Sequence, residues 1–278
     1  MAEAGVFVEA DEASPPIHQL LVDLPFTLDA SIADRLAIGV IVLASDQTLE
    51  HEWRAMLHGL SGVAFYESRL WNDTTVNAET LSAMERDIAE ATRLILPGED
   101  LGVVCFGCAS GTIVIGEDKV FERIRSVRPD AECTSPPTAA VAALGELGAR
   151  KVGLLTPYVG GINDTIRDYL LAKGFEVPIV GTFSNDNDNQ VARISVSSMK
   201  DAIARLAAAA NIDAVYVSCT SLKLAEAIEK IEEEVGLPVL SSNHVMAWHA
   251  LRLGNVQQPI EGFGRIFRHS LSARPHAA

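Results

Sequence analysis

Hydrophobic positions fall into short blocks separated by polar turns, and the blocks alternate between two periods. LAIGVIVLA (36–44) is a continuous apolar, β-branched run, the pattern of a strand buried on both faces. VAFYES (63–68) and LGVVCF (101–106) predict two more strands. Between them NAETLSAMERDIAEATRLIL (77–96) places Leu81, Met84, Ile88, Ala91 and Ile95 at steps of three and four, the stripe of an amphipathic helix. Pro97 and Gly98 end it, and KVFERIRSV (119–127) predicts the next helix.

The second half repeats this layout. KVGLLT (151–156), VPIVGTF (177–183), DAVYVSC (213–219) and LPVLSS (237–242) read as strands. INDTIRDYLLAKG (162–174), SMKDAIARLAAAA (198–210) and SLKLAEAIEKIEEEVG (221–236) read as the helices between them. Alternation of this kind predicts an α/β protein with parallel sheets covered by helices on both faces. Gly39 and Cys108 are 108 − 39 = 69 positions apart, and Gly153 and Cys219 are 219 − 153 = 66 apart. The matching spacing suggests an internal duplication, two related domains facing a shared site; the plainer alternative is that doubly wound sheets all look alike at this level. The expected organisation is an arm at 1–34, a first α/β domain of 35–130 with 243–278, and a second of 131–242.

Composition narrows the function classes. The chain has 278 residues, 48% hydrophobic and 21% charged, enough to fill a core and unlike a disordered or coiled-coil sequence. Its 22 basic and 37 acidic side chains give a net charge of −15, which argues against nucleic acid as a partner. No apolar run reaches the ~18 residues of a membrane span, and the acidic start MAEAGVFVEADEASPP does not read as a secretory signal. A cytoplasmic protein with reduced thiols is expected, and a homo-oligomer, its arm and its tail at 256–278 supplying subunit contacts. The four cysteines, Cys105, Cys108, Cys133 and Cys219, then need burial or chemistry to explain them.

The chemistry concentrates in VVCFGCASGT (103–112) and YVSCTSLK (216–223). In both, a strand delivers a cysteine to the carboxyl end of its sheet, where open α/β folds bind ligands. Small and hydroxylated residues follow, Ala109, Ser110, Gly111 and Thr112 in one and Thr220 and Ser221 in the other. A chain turning into a helix there offers free N–H groups to an oxyanion and should draw a cysteine pKa down toward neutrality. Two thiols across one cleft could remove a proton from one face of a carbon and return one to the other. A thiolate could instead add to an activated double bond, permit rotation and leave. No cofactor and no metal is needed for either. Cys105 and Cys133 read as buried packing residues. Cys105 and Cys108 also spell a CxxC, so redox chemistry is a rival, one that leaves Cys219 unexplained. His51, His58, His244 and His249 form no close zinc-ligand spacing.

Taken together, LASDQTLEHEW (43–53), CFGCASGT (105–112), TSPPTAAVAALGELGARKVGLLTPYVGGIN (134–163), SCTSL (218–222) and SSNHVMAWHALRL (241–253) give the chain a family resemblance. It resembles the aspartate/glutamate racemase superfamily, and within it the branch of maleate cis-trans isomerases, arylmalonate decarboxylases and ectoine-utilisation EutA proteins. The resemblance implies two flavodoxin-like domains related by a pseudo-twofold axis, with the active site between them. It implies Cys108 and Cys219 as the catalytic pair and Ser110, Thr220, Ser221 and nearby amides as carboxylate donors. Tyr158 and Asn163 would orient the substrate, although Asn163 could also be a plain helix N-cap. Departures are visible. Where maleate isomerases carry an asparagine in an early loop, this chain has Ser45, Asp46, Gln47 and Thr48. An acid at Asp46 would repel a second substrate carboxylate but could receive an amino group; Gln47 and Thr48 remain candidate donors. Ala109 stands where relatives place a larger or hydroxylated residue. Decarboxylases of this branch lack the first cysteine.

The expected function is thus a cofactor-independent racemase or cis-trans isomerase of a small carboxylic acid, an amino-acid derivative or a dicarboxylate. The alternatives are a non-catalytic two-lobed binding protein and a decarboxylase of the arylmalonate type.

Overall fold

In a computed structural model the described residues are 22–73, 75–185 and 187–272. Two units are distinguished, residues 1–31 and 32–278. Of the first, residues 22–31 are described; they are exposed and form no helix or strand. The rest of the expected arm, residues 1–21, lies outside the described residues.

Within the second unit the duplication is explicit. Strands β1 (Leu36–Leu43), β2 (Val63–Leu70), β3 (Val103–Gly107) and β4 (Glu132–Thr134) form one parallel sheet in the order β2-β1-β3-β4. Strands β5 (Lys151–Thr156), β6 (Glu176–Thr182), β7 (Ala214–Val217) and β8 (Val239–Ser241) form a second in the order β6-β5-β7-β8. The two orders are the same when the strands are renumbered. The glycines that suggested the repeat occupy equivalent places: a Cβ on Gly39 would come within 2.8 Å of Leu101, and one on Gly153 within 2.7 Å of Ile212. Both Leu101 and Ile212 stand just before the third strand of their sheet and lie over the glycine of the first. These observations establish the expected fold, an α/β molecule of two related parallel-sheet halves.

The helices are α1 (Leu49–Leu57), α2 (Ala78–Ala83), α3 (Ile88–Leu94), α4 (Ala109–Ile115), α5 (Glu117–Arg125), α6 (Pro136–Glu146), α7 (Gly161–Ala172), α8 (Asp188–Val191), α9 (Val196–Ala209), α10 (Ile228–Val235) and α11 (Ser242–Leu253). Two expected helices are interrupted. The 77–96 pattern divides into α2 and α3 around a 3-10 turn at Met84–Asp87, which still turns Leu81, Met84, Ile88, Ala91 and Ile95 inward. The 221–236 pattern becomes helical only at a 3-10 turn, Ala225–Ala227, that leads into α10. The backbone N–H groups of Leu224 and Ala225 at that start are taken by a side chain from α1, the Glu52 carboxylate, at 2.6 Å each.

The core explains why the halves hold together. Helix α11 is buried along nearly its whole circumference and packs on α6, α1, β3 and β4. One apolar cluster runs from Ile38 and Val40 of β1 through Ala139 and Ala143 of α6 and Val245 and Trp248 of α11 to Val215 and Leu240. A second, with Ile41, Val104, Phe106, Ile88 and Ile124, covers the other face of the first sheet. Helix α11 contacts β3 and β4 of the first sheet and β8 of the second, and β4, at 132–134, belongs to the first sheet. Among the described residues no helix is long and apolar enough to cross a membrane.

Candidate active site

β3 ends at Gly107, and Cys108 is the N-cap of α4, still in extended conformation (φ −143°, ψ 117°). Its sulfur accepts the Gly111 N–H at 3.2 Å and lies 3.9 Å from the Ser110 hydroxyl. Its carbonyl accepts the Thr112 hydroxyl at 2.6 Å, which fixes the turn. Gly111 is required by close approach: a Cβ there would fall 2.8 Å from Cys108 Sγ and 2.6 Å from Met84 Cε. The methionine end can move, but the sulfur would have to shift with it. Gly111→Ala is therefore expected to cost about 100-fold in turnover, a typical consequence of misplacing a reacting atom by about 1 Å. Stability should change little, because alanine favours the helix. Steady-state kinetics beside a melting curve checks both.

The second cysteine departs from expectation. Cys219 follows β7 by two residues in a turn, not at a helix N-terminus, since the helical turn begins only at Ala225. The groups that favour its thiolate are the phenol of Tyr158, which comes from the loop after β5, and the Ser221 N–H.

One cavity joins the two sulfurs. Its walls include Cys108, Ala109, Ser110, Tyr158, Cys219, Thr220 and Ser221, together with Asn72, Thr80, Met84 and Asp188. As the chain stands it encloses about 20 Å³, room for about one water molecule. Contacts between the halves close its mouth: Thr75 and Asn187 form an antiparallel bridge, and the Ser45 hydroxyl donates to Asp188 Oδ2 at 2.8 Å while accepting the Asn72 amide at 2.8 Å. Gln47 donates to Asn189 across the same gap at 2.6 Å, outside the cavity.

The remaining candidates are structural in the first instance. Asp46 Oδ1 accepts the N–H groups of Thr48 and Leu49 at 2.8 and 2.9 Å and so starts α1. Its Oδ2 is buried with no hydrogen-bond partner. Thr48 donates its hydroxyl to the Thr220 carbonyl. That carbonyl also accepts the Asn243 amide at 2.7 Å, and Asn243 donates in turn to Glu52 Oε2 at 2.8 Å. Glu52, fully buried, thus ties α1, α11 and the Cys219 turn together. Asn163 stands behind the site instead of lining it: its amide holds the Tyr158 carbonyl at 2.9 Å, and its Oδ1 accepts the Thr156 hydroxyl. It braces the tyrosine loop, and the N-cap of α7 is Gly160.

Electrostatics correct a second expectation. The thiols are not drawn toward neutrality. Burial pushes both Cys108 and Cys219 up to about 12, outweighing the Gly111, Ser110, Ser221 and Tyr158 donors. The charges of Asp188 and Asp46 act in the same direction on both. The CxxC alternative also fails on geometry: Cys105 packs with the cluster on one face of the sheet and Cys108 with the cluster on the other. All four cysteines are free.

Sequence reasoning did not single out Asn72, Asp188 or Glu52. Asn72 and Asp188 belong to the polar runs WND and SNDNDNQ, just past the carboxyl ends of the edge strands β2 and β6. Their matching positions in the two halves were the available signal.

The scaffold has two α/β halves with a cysteine from each in one cavity, and the family match together with the maleate isomerase relatives places the chain in the aspartate/glutamate racemase-like superfamily. A sequence profile described as arylmalonate decarboxylase matches residues 117–267, and the chain belongs to that family. Maleate isomerase of Nocardia farcinica is 29% identical over 242 residues, covering 83% of this chain and 95% of the relative. Arylmalonate decarboxylase of Bordetella bronchiseptica is 30% identical over 140 residues, 50% of this chain and 58% of the relative. Among solved structures, a cysteine-to-serine mutant of Nocardia farcinica maleate cis-trans isomerase with a covalently bound succinylcysteine intermediate superposes with a TM-score of 0.74. It shares 26% identity and covers 84% of this chain and 98% of its own.

Proposed function

We propose that the protein is a cofactor-independent isomerase, a racemase or cis-trans isomerase, acting on a small carboxylic acid through Cys108 and Cys219. The observation that carries this reading is the single cavity lined by both sulfurs, one from each half. The covalent intermediate on a relative of the same architecture supports sulfur as the reacting atom. Ser110, Thr220, Ser221 and the adjacent amides are the proposed carboxylate donors, with Tyr158 beside Cys219. Cys108 separates this reading from a decarboxylase, since by resemblance the decarboxylases lack it.

As a racemase, the thiolate of one cysteine takes the α-proton, the C–H electron pair moves into the carboxylate as an enediolate, and the opposite thiol returns a proton to the other face. As a cis-trans isomerase, the thiolate forms a C–S bond to the alkene and the other thiol protonates the neighbouring carbon. Rotation about the new single bond, loss of that proton and expulsion of the thiolate complete the cycle. With room for about one water molecule, the cavity has to widen before an acid enters. Solvent deuterium distinguishes the two routes: a racemase places it at the α-carbon of the inverted product, read by chiral chromatography and mass spectrometry. A binding protein would show no turnover to label.

The raised thiols give this reading a pH signature. Because kcat/KM follows the free enzyme, and thiolate is its scarce form, kcat/KM should climb roughly tenfold per unit between about pH 6 and 8, without a plateau. A plateau below neutrality would mean a thiolate already formed in the empty site.

A further inference from the structure

We infer that Thr48 and Asn243, which stand behind the cavity wall, are positioning residues for the second sulfur: together they grip the Thr220 carbonyl and so aim the Ser221 N–H at Cys219. The inference deepens the isomerase reading and rests on Cys219 being one of its two reacting thiols. The Thr220 carbonyl and the Ser221 N–H belong to one peptide unit, and that unit is trans, so the two point in opposite directions. The carbonyl accepts the Thr48 hydroxyl from the start of α1 and the Asn243 amide from α11, the latter at 2.7 Å. The N–H on the far side is thereby turned to the Cys219 sulfur. Cys219, Thr220 and Ser221 all form part of the cavity wall.

Two features set this grip apart from ordinary packing. Asn243 is fully buried and spends its amide on two acceptors, the Thr220 carbonyl and, at 2.8 Å, Glu52 Oε2. Its own Oδ1 has no hydrogen-bond partner among the described residues, a costly arrangement for a buried acceptor. Turning the amide over would aim that oxygen at both acceptors, so the network fixes its orientation. Thr48 shows the second feature. It occupies the N-cap of α1, yet its hydroxyl makes no capping hydrogen bond there. Asp46 accepts the first N–H groups instead, which leaves the Thr48 hydroxyl for the peptide of the other half.

Hydrogen bonds on a carbonyl polarise its peptide and strengthen the N–H of the same unit as a donor. A thiolate gains more from that donor than a neutral thiol does. Loss of the grip should therefore weaken Cys219 and spare Cys108, whose neighbours are the Gly111 N–H and the Ser110 hydroxyl of the first half. Cys108 is thus an internal reference in the same chain.

The test compares the full chain with Thr48→Val, which keeps the branched shape and removes the donor, and with Thr48→Ser, which restores it. Each is treated with limiting iodoacetamide, and peptide masses give the labelling rates at Cys219 and Cys108. Thr48→Val should lower the ratio of Cys219 to Cys108 labelling by about tenfold, and Thr48→Ser should bring it back to within about twofold. Should Thr48→Val fail to fold, Asn243→Ala removes the other donor and should shift the ratio the same way. The inference is overturned if the ratio is unchanged in Thr48→Val, if both sulfurs slow together, or if serine does no better than valine. Cys219 labelled but indifferent to these changes removes the grip alone and leaves the isomerase reading standing. Cys219 unlabelled in the native chain, with Cys108 labelled, would remove the two-thiol reading and this inference with it.

Discussion

Replacing either Cys108 or Cys219 by alanine should lower isomerisation by about 10²- to 10⁴-fold, the range for losing a positioned acid or base. The two losses should not add in the double variant, because each sulfur acts on what the other has prepared. Both side chains are buried, at 4% and 3% exposure, and each replacement leaves a small void. The fold should therefore survive with a modest fall in melting temperature, which separates chemistry from collapse. Cys105→Ala serves as the contrast: it removes a buried strand side chain on the opposite face of the sheet and should cost stability with little change in kcat. Kinetics and thermal melts on the four proteins check the pattern. A single-cysteine variant with unchanged kcat would point to one sulfur working alone.

Loss of the Glu52 carboxylate should have the largest effect on stability. Its two oxygens accept the Leu224 and Ala225 N–H groups and the Asn243 amide, all in the interior. Glu52→Ala leaves three buried donors unpaired and is expected to cost roughly 3 to 5 kcal/mol in chemical denaturation. Glu52→Gln should cost less but still slow turnover. A glutamine amide facing the Asn243 amide would force one of them to turn, and Asn243 also holds the Thr220 carbonyl beside Cys219.

Burial raises Glu52 to about 7. The folded state therefore keeps this proton up to about pH 7, while the unfolded chain releases it near the ordinary 4.5. Between those values stability falls as pH rises, by about 3 kcal/mol in all, and above them it is flat in this group. Glu52→Gln should remove that slope.

The strands were legible because parallel strands buried on both faces are continuous apolar runs, and LAIGVIVLA and KVGLLT carry that signal without interruption. The two cysteines were legible for the same reason, each standing where such a run stops. What the pattern could not show was set by contacts from far away in the chain. The delayed helix after Cys219 depends on Glu52, more than 170 positions earlier in sequence, reaching the N–H groups of Leu224 and Ala225. The kink at Met84–Asp87 leaves the apolar stripe intact, so periodicity alone reads through it. The thiol environment was misjudged because local donors are visible in the motif while burial and the charges of Asp46 and Asp188 belong to the assembled halves. Asp188 itself lay in a polar run with four similar neighbours, and only the fold turns that one toward the cavity.

One small cavity is shared by a sulfur from each half. Iodoacetate, a small carboxylate that alkylates thiols, tests it most directly when intact-chain and peptide masses are read together. Labelled chains should carry a single carboxymethyl group, at Cys108 or at Cys219, the first label blocking the second. Chains labelled at both positions would contradict it.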